Sequence, residues 1–240
     1  MQLSMIVRTL ISRLLIIILM AVSVVPVILL LLVPARWRYD NPVYYWFARF
    51  YYWLGLKCLF LPINYKGLEN VPHSPAVIVG NHQSSLDIPL IGSLLGAQPH
   101  IWLATVTLLS SPLFSFVLRR AAALIDMSSP QKGMRSLINA IKLINTNKHA
   151  IIFPEGGRFT DGQVHPFYGG FVIIAKKTGR PVVPVYIRNV NKVYPPDSFW
   201  IYDYPIEVVV GAPFHYQEND TDEMFKQRVY DWFLVQQQKG

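Results

Sequence analysis

From Leu14 to Ala35 the chain carries no charged residue, and no other feature restricts its fold as strongly. At about 1.5 Å per residue, some twenty helical residues reach about 30 Å, the depth of a bilayer's hydrocarbon core. A cleavable signal peptide has a shorter apolar region ending in small residues at a cut site. This run is longer and ends in Pro34-Ala35-Arg36-Trp37-Arg38, which predicts a retained anchor. Arg8 and Arg13 precede it; Arg36, Arg38, Arg49 and Lys57 follow, and Pro26 sits inside. Basic residues favour the cytoplasmic side, and both flanks are basic. A kinked helix or a re-entrant hairpin with both ends cytoplasmic satisfies both flanks.

The segment behind the anchor is dense in aromatics, Tyr44-Tyr45-Trp46-Phe47 and Phe50-Tyr51-Tyr52-Trp53. Tyr and Trp with an occasional cation make an interfacial helix, rings toward the acyl chains and polar tips at the headgroups. An aromatic core helix of a globular domain is the alternative. Residues 1–66 hold seven basic groups against Asp40 alone, whereas residues 67–240 hold fifteen against thirteen acids. The excess therefore lies beside the apolar segment, as expected for contact with anionic lipid headgroups. No basic run, zinc-finger spacing or RNA-binding signature supports a nucleic-acid partner. Only 15% of the chain is charged and 52% is hydrophobic, which excludes disorder. A single cysteine, Cys58, excludes an internal disulfide and cysteine-rich zinc sites.

From about Val71 short β-branched runs alternate with helix-like stretches. The expected strands are Ala76–Gly80, His100–Ala104, Ala123–Met127, His149–Phe153, Val182–Ile187 and Ile206–Gly211. The expected helices are Leu86–Leu95, Ser111–Arg119, Pro130–Thr146, Gly170–Thr178 and Thr221–Gln237. Such alternation predicts an α/β fold, a mostly parallel central sheet flanked by helices, preceded by the membrane-anchoring helical segment. The expected division is residues 1–66 for the anchor and interfacial helix, and 67–240 for a catalytic domain.

Two stretches can carry chemistry. In Gly80-Asn81-His82-Gln83-Ser84-Ser85-Leu86-Asp87 a strand ends and a polar turn leads into a helix. His82 then stands at the carboxyl end of a strand, where open α/β sheets bind ligands. Asp87 falls in the first helical turn and can accept from one imidazole nitrogen, leaving the other as a base. The same spacing also fits a helix cap beside an ordinary loop histidine. In Ile151-Ile152-Phe153-Pro154-Glu155-Gly156-Gly157-Arg158 another strand feeds a loop. Its glycines admit close backbone approach to an anion, and Arg158 can grip a phosphate. A Gly-Gly turn with a surface Glu-Arg pair is the alternative. His73, His100, His149, His165 and His215 show no ligand spacing, so no metal is expected. The acidic stretch at 220–223 reads as a helix start, and Asp161 and His165 as a solvated loop.

In order and spacing, Asn81-His82-x-x-x-x-Asp87 followed by Phe153-Pro154-Glu155-Gly156-x-Arg158 resembles the glycerolipid acyltransferases, a family that includes 1-acylglycerol-3-phosphate acyltransferases. The likeness covers roughly residues 70–215 and takes in Pro181-Val182-Val183-Pro184-Val185. It implies that His82 is the general base, that Asp87 orients it, and that Glu155, Gly156, Gly157 and Arg158 bind the acceptor's glycerol phosphate. It further implies an acyl-CoA or acyl-carrier-protein thioester as co-substrate, no metal or other cofactor, and phosphatidate as product at the cytoplasmic face of a membrane.

The chain also departs from that family. Where a Lys-x-Glu-like element and a later Arg are expected, it has Ala104-Thr105-Val106-Thr107-Leu108 and Ile125-Asp126-Met127, with Arg119 and Arg120 as nearby substitutes. Gly157 stands where lysophosphatidate enzymes usually have Thr, a pattern resembling glycerol-3-phosphate acyltransferases. These departures keep other acceptors open: glycerol 3-phosphate, a lyso-aminolipid or a glycolipid. A non-catalytic lipid-binding relative would need neither His82 nor Asp87 in working geometry.

Overall fold

The computed structural model describes residues 3–110, 112–144, 147–195 and 198–239. Its elements in chain order are helices α1 (Leu3–Leu32), α2 (Ala35–Arg38) and α3 (Pro42–Lys57), then strands β1 (Ile63–Lys66) and β2 (Val77–Gly80). Next come α4 (Asp87–Leu95), β3 (His100–Thr105), α5 (Pro112–Ala121), β4 (Ala122–Ile125), α6 (Pro130–Ile144) and β5 (His149–Ile152). The remainder is α7 (Gly170–Thr178), β6 (Val182–Arg188), α8 (Val190–Val193), β7 (Ile206–Val210) and α9 (Asp222–Gln238). The expected start of one helix at Ser111 and end of another at Thr146 lie outside the described residues.

The strands form one sheet in the order β1-β7-β6-β2-β5-β3-β4. β6, β2, β5, β3 and β4 run parallel, β7 is antiparallel to β6, and β1 is parallel to β7. The central strand β2 is buried along its whole length, which is why its sequence, Val-Ile-Val-Gly, is uniformly apolar. β1 is the element that the sequence reading omits. It is a four-residue edge strand of alternating exposure, Ile-Asn-Tyr-Lys, with no β-branched run to mark it. It places residues 63–66 in the sheet, on the other side of the expected boundary at 66/67.

Helices cover both faces. On one, Leu137, Ala140 and Ile144 of α6 pack with Phe171 of α7 and with Phe225, Val229 and Phe233 of α9. These three α9 residues recur every four positions, and each buried ring or branched chain contributes about 1.5–3 kcal/mol. The acidic start of α9 behaves as a cap: the Thr221 hydroxyl accepts the Met224 N–H at 3.2 Å. On the other face Leu56 of α3 joins Leu90, Ile91 and Leu95 of α4.

The aromatic segment serves two surroundings at once. Asn41 caps α3 and Pro42 starts it. Tyr45 and Leu56 are buried, and the Tyr52 ring lies where a side chain on Gly92 would stand, 2.3 Å from the Cβ position. Glycine at 92 is therefore what lets α3 approach α4. The Tyr52 hydroxyl accepts from Trp102 Nε1 at 3.0 Å and lies 3.4 Å from His100 Nε2. Burial lowers His100 and His149 to about 4, so both imidazoles are neutral pieces of core. His149 Nδ1 accepts the Ala76 N–H, which leaves its Nε2–H to reach Gln98 Oε1 at 3.0 Å. The opposite stripe of α3, Val43, Trp46, Phe50 and Trp53, is exposed at helical spacing.

The apolar run is one helix through Pro26, so a hairpin within the run is not what forms. α1 is long and apolar enough to cross a membrane, and little of it is buried. Its first turns are nonetheless bonded to the protein. Arg8 pairs with Asp203 at 3.0 Å and donates to the Ile201 carbonyl, and the Thr9 hydroxyl accepts the Ile201 N–H at 3.2 Å. Arg13 donates to the carbonyls of Ser198 and Phe199 and to the Tyr194 hydroxyl. Past the other end of α1, Arg38 and the Tyr39 hydroxyl both donate to the Arg120 carbonyl.

Candidate active site

β2 and β5 are neighbours, so the loops that leave their carboxyl ends meet. Asn81, the first residue after β2, is buried and continues the sheet by its side chain. Its Nδ2 donates to the Ile187 carbonyl at 2.9 Å and its Oδ1 accepts the Ile187 N–H at 2.7 Å. His82 follows. Its N–H donates to Glu155 Oε1 at 2.9 Å and its carbonyl accepts the Phe159 N–H at 2.9 Å. The backbone that carries the imidazole is thus tied on both sides to the loop after β5.

The turn brings His82 and Asp87 together. Asp87 Oδ2 lies 2.8 Å from His82 Nδ1 and also accepts the N–H groups of Gln83 at 2.7 Å and Ser84 at 2.8 Å. A carboxylate oxygen has only acceptor capacity, so Nδ1 carries the proton and Nε2 carries the free lone pair. The carboxylate holds the turn amides and orients the imidazole together, so the capping and catalytic readings of Asp87 describe one arrangement. The imidazole stacks on Phe153, with ring centroids 4.0 Å apart and planes within 9°. Asp87 is fully buried, whereas the His82 side chain keeps 15% of its surface exposed. A histidine whose Nδ1 is engaged by a buried carboxylate, and whose ring reaches the surface, has the geometry of a general base.

Glu155 sits beneath this loop, only 3% exposed. Oε1 takes the His82 N–H and Oε2 takes the His165 N–H at 3.2 Å. Burial lifts its carboxyl to about 7 against the two backbone donors, which pull it down. Each oxygen accepts one backbone N–H, so the carboxyl braces the loop that carries His82. Gly156 adopts φ +71, and a Cβ there would come within 2.7 Å of the Tyr168 ring. The position therefore excludes side chains for two reasons. Arg158 is exposed and, among the described residues, has no hydrogen-bond or ion-pair partner.

Asp161 and His165 are tied more closely to the site than a solvated loop would be. His165 Nε2 lies 2.9 Å from Asp161 Oδ2, and its ring stacks on Phe159 at 3.8 Å. Arg119 and Arg120 do not replace the missing cations. α5 runs back from the carboxyl end of β3 to the start of β4, so its last residues lie at the opposite end of the strands, about 15 Å away for a ten-residue helix. Asn81 and Phe153 both belong to the two sequence motifs, but their parts as brace and stacking partner appear only once the strands are assembled. Among the described residues no group of three or more His, Cys, Asp or Glu is placed to hold a metal.

Comparison with known proteins bears on the family and the fold. A family profile described as Acyltransferase matches residues 62–188. The 1-acyl-sn-glycerol-3-phosphate acyltransferase of Pseudomonas aeruginosa is 30% identical over 186 residues, covering 77% of this chain and 71% of that protein. The chloroplastic enzyme of the same name from Brassica napus is 29% identical over 188 residues; the match takes 76% of this chain and spans about half of the plant protein, 54%. In three dimensions the chain resembles the 1-acyl-sn-glycerophosphate acyltransferase of Thermotoga maritima, with a TM-score of 0.77 at 23% identity over 98% of this chain and 95% of that one. The profile spans the sheet from just before β1 to the end of β6 and includes the loops that carry His82 and Glu155, and on that ground the chain belongs to the acyltransferase family.

Proposed function

We propose that this chain transfers an acyl group from a thioester to the free hydroxyl of 1-acylglycerol 3-phosphate, giving phosphatidate. The observation that carries the reading is His82 held at Nδ1 by buried Asp87, with an unpartnered arginine on the adjoining loop. In the reaction Nε2 takes the proton of the acceptor hydroxyl as its oxygen attacks the thioester carbonyl. The C–O bond forms, the tetrahedral intermediate collapses, the C–S bond breaks, and the imidazolium returns its proton to the departing sulfur. The acceptor hydroxyl takes the place of a nucleophilic serine, so no covalent acyl-enzyme forms. Arg158 holds the acceptor's phosphate by charge-assisted hydrogen bonds.

The test is acyl transfer by the purified protein in mixed micelles, with one acyl-CoA and lysophosphatidate, glycerol 3-phosphate or phosphate-free lysolipids as acceptors. Lysophosphatidate is expected to be preferred. Arg158→Ala should lower kcat/KM for it by about 10- to 100-fold, the worth of a hydrogen bond to a charged group, while leaving the KM for acyl-CoA near its starting value. The absence of cations at 104–108 favours a phosphate-free acceptor instead. Preference for such an acceptor, indifferent to Arg158, would establish that second reading.

The reading includes a place. The first turns of α1 and the short helix that follows it bond to the same domain, whereas a spanning helix delivers its two flanks to opposite sides. α1 therefore lies in the cytoplasmic leaflet beside the exposed stripe of α3, with the cleft near headgroup level. A protease site added at the N-terminus should be cut in inverted membrane vesicles and protected in right-side-out ones. The reverse pattern would make α1 a spanning helix.

A further inference from the structure

The outward face of α6 has no role in the chemistry above, yet its composition is unusual for a surface helix. It carries Lys132, Arg135 and Lys142 and no acidic residue. Lys132 donates to the Ser128 hydroxyl at 3.2 Å and has Asp126 at 4.0 Å, whereas among the described residues Arg135 and Lys142 have no ion-pair partner. Between these cations Met134 and Ile138, one helical turn apart, are each 46% exposed. They line a depression in the surface with Arg135 and Lys142. Apolar anchors set among unpaired cations make a surface for an acidic, partly apolar partner, with the charges guiding encounter. The methionine adapts its shape to what it meets.

Position narrows the partner. α6 lies on the face of the sheet opposite α4 and the buried side of α3. A membrane held by α1 and α3 leaves α6 directed toward water. The helix begins just beyond the carboxyl end of β4, the same end of the sheet as the His82 loop, and runs back toward the start of β5. Met134 and Arg135 therefore lie nearer that end than Lys142, about 18 Å along the helix. β4 is three strands from β2, about 14 Å at the usual strand spacing. A protein seated here needs an extended arm to bring a thioester to His82.

We propose that the outward face of α6 is the docking surface for an acidic acyl-carrier protein that delivers the thioester. This rests on the acyl-transfer reading and names its donor. The carrier's acidic surface pairs with Arg135 and Lys142, its apolar side covers Met134 and Ile138, and its prosthetic arm reaches over the end of the sheet. After the C–S bond breaks, the carrier leaves with a free thiol.

The experiment uses the full chain in mixed micelles with lysophosphatidate and two donors of one chain length, palmitoyl-carrier protein and palmitoyl-CoA. The double variant Arg135→Glu/Lys142→Glu should raise the KM for palmitoyl-carrier protein at least about tenfold, since juxtaposed like charges cost a kcal/mol or more. The kcat with that donor and both constants with palmitoyl-CoA should stay within about twofold. The milder Arg135→Gln/Lys142→Gln should give the same donor-selective effect at smaller size, and added salt should raise the wild-type KM for the carrier donor alone. Equal change for both donors in the milder variant, or no use of palmitoyl-carrier protein by the wild type, overturns the proposal. Loss of binding to phosphatidylglycerol vesicles with unchanged donor constants overturns it too and makes α6 a lipid surface. Failure of wild-type transfer from palmitoyl-CoA to any lysolipid would instead remove the reading beneath it.

Discussion

Alanine at His82 is expected to lower acyl transfer at least about a hundredfold, since a positioned general base contributes about 10²–10⁴. The substitution is clean because the links from this residue to Glu155 and Phe159 run through its backbone N–H and carbonyl. Alanine keeps both, and Asp87 still receives the Gln83 and Ser84 amides. Thermal stability and membrane attachment should therefore change little while turnover collapses, as followed by release of free thiol from acyl-CoA. Asp87→Asn should also be costly, because an amide can turn its N–H₂ toward the imidazole and reverse which nitrogen is protonated. Near-normal turnover in His82→Ala would move the base elsewhere and leave the dyad a structural feature.

Glu155→Ala is the second change with a large expected effect, and it acts by another route. The carboxyl serves two part-buried backbone donors, one under His82 and one at His165. Removing it strands both, at about 1–3 kcal/mol for each unpaired donor. The expected result is a lower unfolding midpoint together with a fall in kcat, since the loop carrying the imidazole loses its support. The KM for the acceptor should change less than kcat. A residue that grips glycerol phosphate directly would show the opposite split, and that outcome would restore Glu155 to a binding role.

The ionisation of Glu155 gives an independent signature. Its carboxyl is raised from 4.5 to about 7, first by burial. A group raised in the folded state contributes stability in its protonated form. That contribution is complete below about pH 4.5 and is lost as pH rises toward 7. Glu155→Gln, which does not titrate, should flatten stability over that interval. It should remain less stable than the parent, because its N–H₂ faces a backbone donor that the carboxylate accepted.

Much of the fold is legible in local pattern. The uniformly apolar runs at 77–80, 150–152 and 182–187 mark buried parallel strands, and Pro130 and Thr178-Gly179 mark helix ends. Edge strand β1 escapes because a short strand with one polar face has no run to count. The aromatic segment invites two readings because it has two faces, and only packing shows that Tyr45 and Tyr52 turn inward while Trp46, Phe50 and Trp53 turn out. For α1 composition shows only an apolar helix. The bonds from Arg8 and Arg13 to residues nearly two hundred positions away are invisible to it.

The candidate site divides along the same line. The sequence alone places His82 and Glu155 just beyond strand ends and puts Asp87 within one turn of His82, because turns and hydrophobic periods are short-range properties of neighbouring residues. Which loops meet is decided by strand order. With β5 beside β2, Glu155 lies under the His82 backbone, and with β6 on the other side Asn81 reaches Ile187. The direction of α5 likewise decides that Arg119 and Arg120 end far from the cleft. These are matters of long-range pairing and of burial, which sets the Glu155 carboxyl against two backbone donors. Neither is a property of any stretch of chain taken by itself; both arise only when the sheet is assembled.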